Sequence, residues 1–182
     1  EGAATLGHAL TLWTNALILR VLAGDPEHPT LLWSIDNTPH RWFGKDVPAS
    51  GATGDNPDFI YRNSFLDGEG LYEIQGKVDI AHRPVQFTFE TTRGSPSFFA
   101  PAAPRKNSSD IGNHLDMIID DRMVISSDGS FAVTIGPERQ GPNHLRTEAG
   151  PVTLIVRDVI SDWTQNANRL ALHRLDQPFG TR

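Results

Sequence analysis

The sequence predicts a mainly β protein, a jelly-roll-like antiparallel β-sandwich carrying one N-terminal α-helix. Three observations lead there. Short runs with apolar residues at every second position, such as Tyr72, Ile74, Gly76 and Val78, recur through residues 56–182, the period of half-buried strands. Turn-forming pairs such as Asp67-Gly68 and Asp128-Gly129 punctuate these runs, as in sandwiches built from short strands. Near the N-terminus alone, Leu6, Leu10, Trp13, Leu17 and Val21 fall at helical spacing. A chain of 182 residues is long enough for one domain with a substantial core. It divides into a helix over 1–24 packed on the domain, an ordered loop over 25–55, and the sandwich over 56–182.

The helix ends at Gly24-Asp25-Pro26, where glycine caps and proline forbids continuation. Its other faces also carry Leu12, Ala16, Ile18, Leu19 and Leu22, more apolar surface than one sheet covers. A loop of the same chain, a partner subunit in a homo-oligomer, or a further N-terminal domain against residues 6–23 would each cover it. The loop over 25–55 is rich in Pro, Gly, Asp and Asn, with Trp33, Trp42 and Phe43 as aromatic anchors. Phe59 to Phe65 and Leu71 to Val78 read as strands, and Val85, Phe87 and Phe89 suggest a hairpin partner for the second. Residues 95–109, with three prolines, read as an excursion between strands.

Met123 to Ser127 and Ser130 to Ile135 flank Asp128-Gly129, the favoured two-residue hairpin turn. Pairing Ser127 with Ser130 would place Val124, Phe131, Val133 and Ile135 on one core face. Val152 to Ile160 and Leu170 to Leu175 suggest a last pair of strands.

Composition excludes several functions. With 16 basic against 22 acidic residues the net charge is -6, which offers nothing to nucleic acid or anionic lipid. The absence of cysteine removes disulfides, thiolate nucleophiles and thiolate zinc sites. Leu6 to Ala23 is interrupted by His8, Thr11, Thr14, Asn15 and Arg20, too polar for a membrane span. Glu1 is expected to follow a processing or expression boundary, and the cytoplasm and the periplasm both remain open.

Several motifs resemble the bacterial domain of unknown function 1214 family. They are Asp55-Asn56-Pro57-Asp58-Phe59-Ile60-Tyr61-Arg62, Asp67-Gly68 with Tyr72-Glu73-Ile74-Gln75-Gly76, Asp128-Gly129-Ser130-Phe131, and Val156-Arg157 followed by Asp162-Trp163. The resemblance spans about two-thirds of the chain and implies the jelly-roll-like sandwich, with no established activity. Where the family usually has Gly-Asn-Trp-Leu, this chain reads Pro142-Asn143-His144-Leu145.

No nucleophile elbow, phosphate loop, zinc-protease helix or dinucleotide fingerprint is present. Arg157 lies in an apolar strand, so it needs a carboxylate, with Asp58 and Asp162 the expected partners, or a ligand anion. Tyr61, Arg62, Arg157 and Trp163 form the predicted contact set of a loop-lined cleft for a small polar ligand or saccharide. A hydrolase or lyase with Asp58 or Asp162 as acid or base is the alternative, and Tyr61 and Arg157 would then stabilise developing negative charge. A structural or oligomer-forming subunit is the third reading. His114, Asp116, Asp120 and Asp121 lack diagnostic ligand spacing, as do His40, His82, His144 and His173, so no metal site and no cofactor is predicted. Asn107-Ser108-Ser109 fits a glycosylation sequon by chance.

Overall fold

The structure is a computed structural model that describes residues 2–36, 38–42, 44–47, 49–51, 56–94 and 114–177. The expected excursion at 95–109, the sequon at Asn107, and Phe43 and Asp55 lie outside the described residues. Helix α1 spans Gly2–Leu22 and ends with the Ala23 amide donating to the Leu19 carbonyl at 2.9 Å. Only Ala16 of α1 is buried. The helix meets the body through a narrow strip, where Asn15 Nδ2 donates to the Ala49 carbonyl at 2.8 Å and the Gly51 amide to the Leu12 carbonyl at 3.2 Å. Leu6, Leu10, Trp13, Ile18, Val21 and Leu22 remain exposed.

The segment expected as a loop holds three short strands: β1 (Leu32–Trp33), β2 (His40–Trp42) and β3 (Lys45–Val47). The larger strands are β4 (Phe59–Asp67), β5 (Tyr72–Lys77), β6 (Gln86–Arg93), β7 (His114–Ile119), β8 (Ser130–Gly136), β9 (His144–Arg146), β10 (Pro151–Val159) and β11 (Arg169–Arg174). They form a five-stranded sheet in the order β1-β4-β10-β6-β7 and a four-stranded sheet in the order β11-β5-β8-β9, while β2 and β3 pair alone. The fold is therefore mainly β, with three sheets and one N-terminal helix.

The two large sheets pack face to face around one core. Val152, Leu154 and Val156 on β10 and Phe87 and Phe89 on β6 meet Tyr72, Ile74, Phe131, Val133, Ile135 and Leu145 from the other sheet. Phe87 stacks on Phe131 at 5.7 Å between ring centroids. Alternation explains why these residues converge, since every second side chain of a strand points to the same face.

Three expectations about strand pairing need correction. The chain does reverse at Asp128-Gly129, where the Gly129 amide donates to the Ser126 carbonyl and the Ser126 amide to the Ser130 carbonyl, both at 2.8 Å, but Met123 to Ser127 is not a strand and no ladder follows: β8 pairs with β5 antiparallel and with β9 parallel. Val124 is exposed instead of lining the core, whereas Phe131, Val133 and Ile135 do line it. Nor do β5 and β6 make a hairpin, because β6 crosses to the five-stranded sheet and pairs with β10 and β7. Likewise β10 and β11 lie in different sheets. The parallel β8-β9 pair means that the four-stranded sheet is mixed, not purely antiparallel.

Candidate aromatic cleft and polar face

Strand β4 builds the site because adjacent residues go to opposite faces. Arg62 and Ser64 turn inward and are buried, while Phe59, Tyr61 and Asn63 face outward and are half-buried. The Phe59 and Tyr61 rings lie 5.6 Å apart, tilted by 50°. With Trp33, Ile35, Pro57 and Ile60 they line a cleft of about 360 Å³ at the β1 end of the sheet. Trp33 and Ile35 are 49% and 39% exposed, so their apolar faces are open to a ligand.

Next to Tyr61, β10 presents Arg157 on the same outward face; its guanidinium carbon sits 6.0 Å from the Tyr61 ring centroid. The carboxylate that balances Arg157 is Glu90 of β6, not Asp58 or Asp162: Arg157 Nη1 donates to Glu90 Oε2 at 2.5 Å. His114 Nδ1 lies 3.2 Å from the second oxygen, Glu90 Oε1. Glu90 is 9% exposed at its side chain, Arg157 28% and His114 44%. A buried carboxylate thus holds one nitrogen-bearing side chain on each oxygen, with the outer ends of both reaching solvent. Such a row supplies donors and an acceptor beside an aromatic surface.

Arg62, expected beside Tyr61 in the contact set, is on the other face of the sheet, where its guanidinium carbon lies 5.9 Å from the ring centroid of Trp33, its cross-strand partner at the edge of the cleft. Its guanidinium forms a buried ion pair with Asp158 and donates to the Asn168 carbonyl at 2.7 Å. Asn168 Nδ2 donates to the other Asp158 oxygen at 2.6 Å. Burial pushes the Asp158 carboxyl up and the Arg62 guanidinium down, each outweighing the attraction of its partner.

The remaining predicted residues hold turns. Asp58 is exposed, and its amide donates to Asn56 Oδ1 at 3.0 Å. Asp162 Oδ1 accepts from the Thr164 amide and hydroxyl, both at 2.8 Å, which keeps its carboxyl below the usual range. Trp163 is 96% exposed beside it and is not part of the cleft wall. A bulge between Thr91 and Thr92 shifts His114 out of the regular ladder toward Glu90. Asp116 accepts instead from the Met117 and Arg146 amides, each at 2.9 Å. No cluster of three or more His, Asp or Glu residues suited to a metal ion occurs among the described residues.

Trp33 and Phe59 in the cleft, and Glu90 and His114 on the polar face beside it, were not in the contact set expected from the sequence. Phe59 and Tyr61 at alternate positions of one strand were the available signal. The Glu90 to Arg157 pairing had none, since the two lie 67 positions apart.

Fold and face together define a mainly β protein whose two packed sheets carry an aromatic cleft and a polar outer face. No family model matches the chain, and no curated protein does. Among solved structures it is similar to an uncharacterised protein from Burkholderia cenocepacia, at TM-score 0.73 and 19% identity over 99% of this chain. The chain spans 44% of that protein's length. A second similarity, to the VPA0106 protein of Vibrio parahaemolyticus, has TM-score 0.47 and 20% identity over 69% of this chain and 33% of the other. The first likeness shows a shared fold.

Proposed function

We propose that the chain is a binding module for a small polyhydroxylated ligand, a saccharide foremost, seated on Trp33, Phe59 and Tyr61 with Arg157 and Glu90 beside it. The supporting observation is that Tyr61 belongs to both features: it lines the aromatic cleft and lies under the Arg157 guanidinium. Aromatic faces take the C–H faces of a sugar ring, while a guanidinium and a carboxylate bind its hydroxyls. The hydrolase or lyase reading has less support, because Asp58 and Asp162 are exposed turn residues and Asp162 holds its charge too firmly to shuttle protons near neutral pH. Binding without turnover is the expected outcome when the protein is titrated with neutral oligosaccharides and product formation is followed in parallel. Turnover lost on Asp58→Asn would instead establish the enzyme.

The exposed helix favours a second role, in assembly. A helix apolar on most faces is normally covered, and α1 presents six large apolar side chains to solvent. A second copy or a further folded unit would cover them. A multimeric mass by light scattering, converted to monomer by Leu10→Glu, supports self-association; a strictly monomeric mass removes it. The chain's alternation between the two sheets, β4 to β5 to β6 and β9 to β10 to β11, supports a jelly-roll-like path and membership of the domain of unknown function 1214 family as part of the same proposal.

A further inference from the structure

We propose that the cleft where edge strands β7 and β9 meet, lined by Arg122, Arg139 and Arg146, binds a phosphate group. This site is separate from the aromatic cleft. β7 ends the five-stranded sheet and β9 ends the four-stranded sheet, and the cleft between them has a volume of about 360 Å³. In a protein of net charge -6, three guanidiniums gathered on one small cleft need a counter-ion.

The protein supplies little of it. Asp116 is the one carboxylate among the cleft's lining residues, and its oxygens accept from the Met117 and Arg146 amides, each at 2.9 Å. Arg146 Nη1 donates to Glu148 Oε1 at 3.1 Å, but Glu148 is shared with Arg93, whose Nη2 lies 2.6 Å from Oε2. Arg122 is 80% exposed at its side chain, with Asp121 at 3.9 Å its ion-pair partner. Arg139 makes no ion pair among the described residues and is exposed. Arg139 is therefore free to turn to a ligand, Arg122 need leave only a long surface pair to do so, and their planar forks match phosphate oxygens.

His144 sets the shape of the cleft. Its Nδ1 lies 2.9 Å from the Thr134 hydroxyl and 3.3 Å from the Gln140 amide, and its Nε2 lies 3.2 Å from the Gly136 carbonyl. The imidazole thereby pins the turn that carries Arg139. Burial, with Arg139 adding to it, lowers the His144 pKa against the opposing Gly136 carbonyl and Asp116. Ile118, Pro137 and Pro142 give the cleft an apolar wall, which suits the organic part of a phosphate ester.

The test is an NMR titration of the protein at low ionic strength with inorganic phosphate in one arm and phenyl phosphate in the other. Saturable shifts confined to the amides of Asp116, Arg122 and residues 138–141 and 143–146, weakened about tenfold by Arg139→Gln and weakened by added sodium chloride, support the site. Arg169→Gln, at an exposed arginine elsewhere, should leave both titrations unchanged. Tighter binding of phenyl phosphate assigns a phosphate ester, and equal binding assigns the free oxyanion. Absence of saturable shifts, shifts scattered over other arginines, or titrations unaffected by Arg139→Gln would overturn the proposal.

Discussion

Arg62 and Asp158 show how one residue's neighbours decide its role. Tyr61 and Arg62 are adjacent in sequence, yet one serves the outer face and the other is sealed in the core. Removing either member of a buried pair strands a charge without compensation, so Arg62→Met or Asp158→Leu alone should cost about 3–5 kcal/mol. The double variant should recover most of that loss, because burial opposes the charge on both partners. Denaturant midpoints of the two single variants and the double variant check this; additive losses would contradict it. The sequence signalled that an arginine in the β10 neighbourhood needs a carboxylate. Choosing Glu90 for Arg157, and Asp158 for Arg62, required the strand order, which no spacing encodes.

At the level of elements, β5 and β8 depend on a glycine. A Cβ on Gly76 would lie 2.1 Å from the Phe131 ring, since the ring rests directly on the backbone of the opposing strand. Gly76→Ala should therefore destabilise the protein by at least about 1–3 kcal/mol through overpacking. Phe131→Ala should cost about 3–5 kcal/mol through the cavity it leaves. Thermal or denaturant unfolding measures both, and a midpoint left unchanged by Gly76→Ala would show that the ring has room to move aside.

The same elements show what the sequence conceals. Alternation located the buried faces of β5 and β8, and Phe87 and Phe89 of β6 though not Val85, which is exposed, because burial is a local property of a strand. Pairing is not local. Residues 123–127 have strong β character and an Asp-Gly turn, but the Asn143 side chain takes the place of a ladder. Its Oδ1 accepts from the Val124 amide at 2.8 Å, and its Nδ2 donates to the Val124 and Ala132 carbonyls, both at 2.9 Å. One side-chain amide from a distant loop thus stands where the ladder beyond the turn would run. Helix α1 was legible from its period, whereas its exposure was not.

Across the molecule, carboxylates held below their ordinary pKa set the response to acid. Asp128 is pulled far down by Lys77 Nζ at 2.7 Å and by the Ser130 amide and hydroxyl. Glu148 is lowered by Arg93, and Asp176 by Arg174. A carboxyl with a depressed folded pKa stabilises the fold fully above its unfolded value, near 4. That stability is lost as pH falls below it toward the folded value. Asp158, raised by burial, acts in the opposite sense. Stability should hold between neutral pH and about 4 and then decline. Lys77→Met should move the Asp128 titration, followed by carboxyl carbon NMR, up toward its ordinary value; an unchanged titration would mean that Lys77 does not hold it.

The aromatic cleft is the most direct point at which to test the whole account. Wild-type protein and the Trp33→Ala and Tyr61→Ala variants should be titrated with a panel of neutral oligosaccharides while amide shifts are followed. Saturable shifts at residues 33–35, 56 and 58–61 in the wild type, weakened at least about tenfold in either variant, are the predicted result. Saccharide binding that maps elsewhere and survives both substitutions, or no binding across the panel, would contradict the assignment of this face as a ligand site.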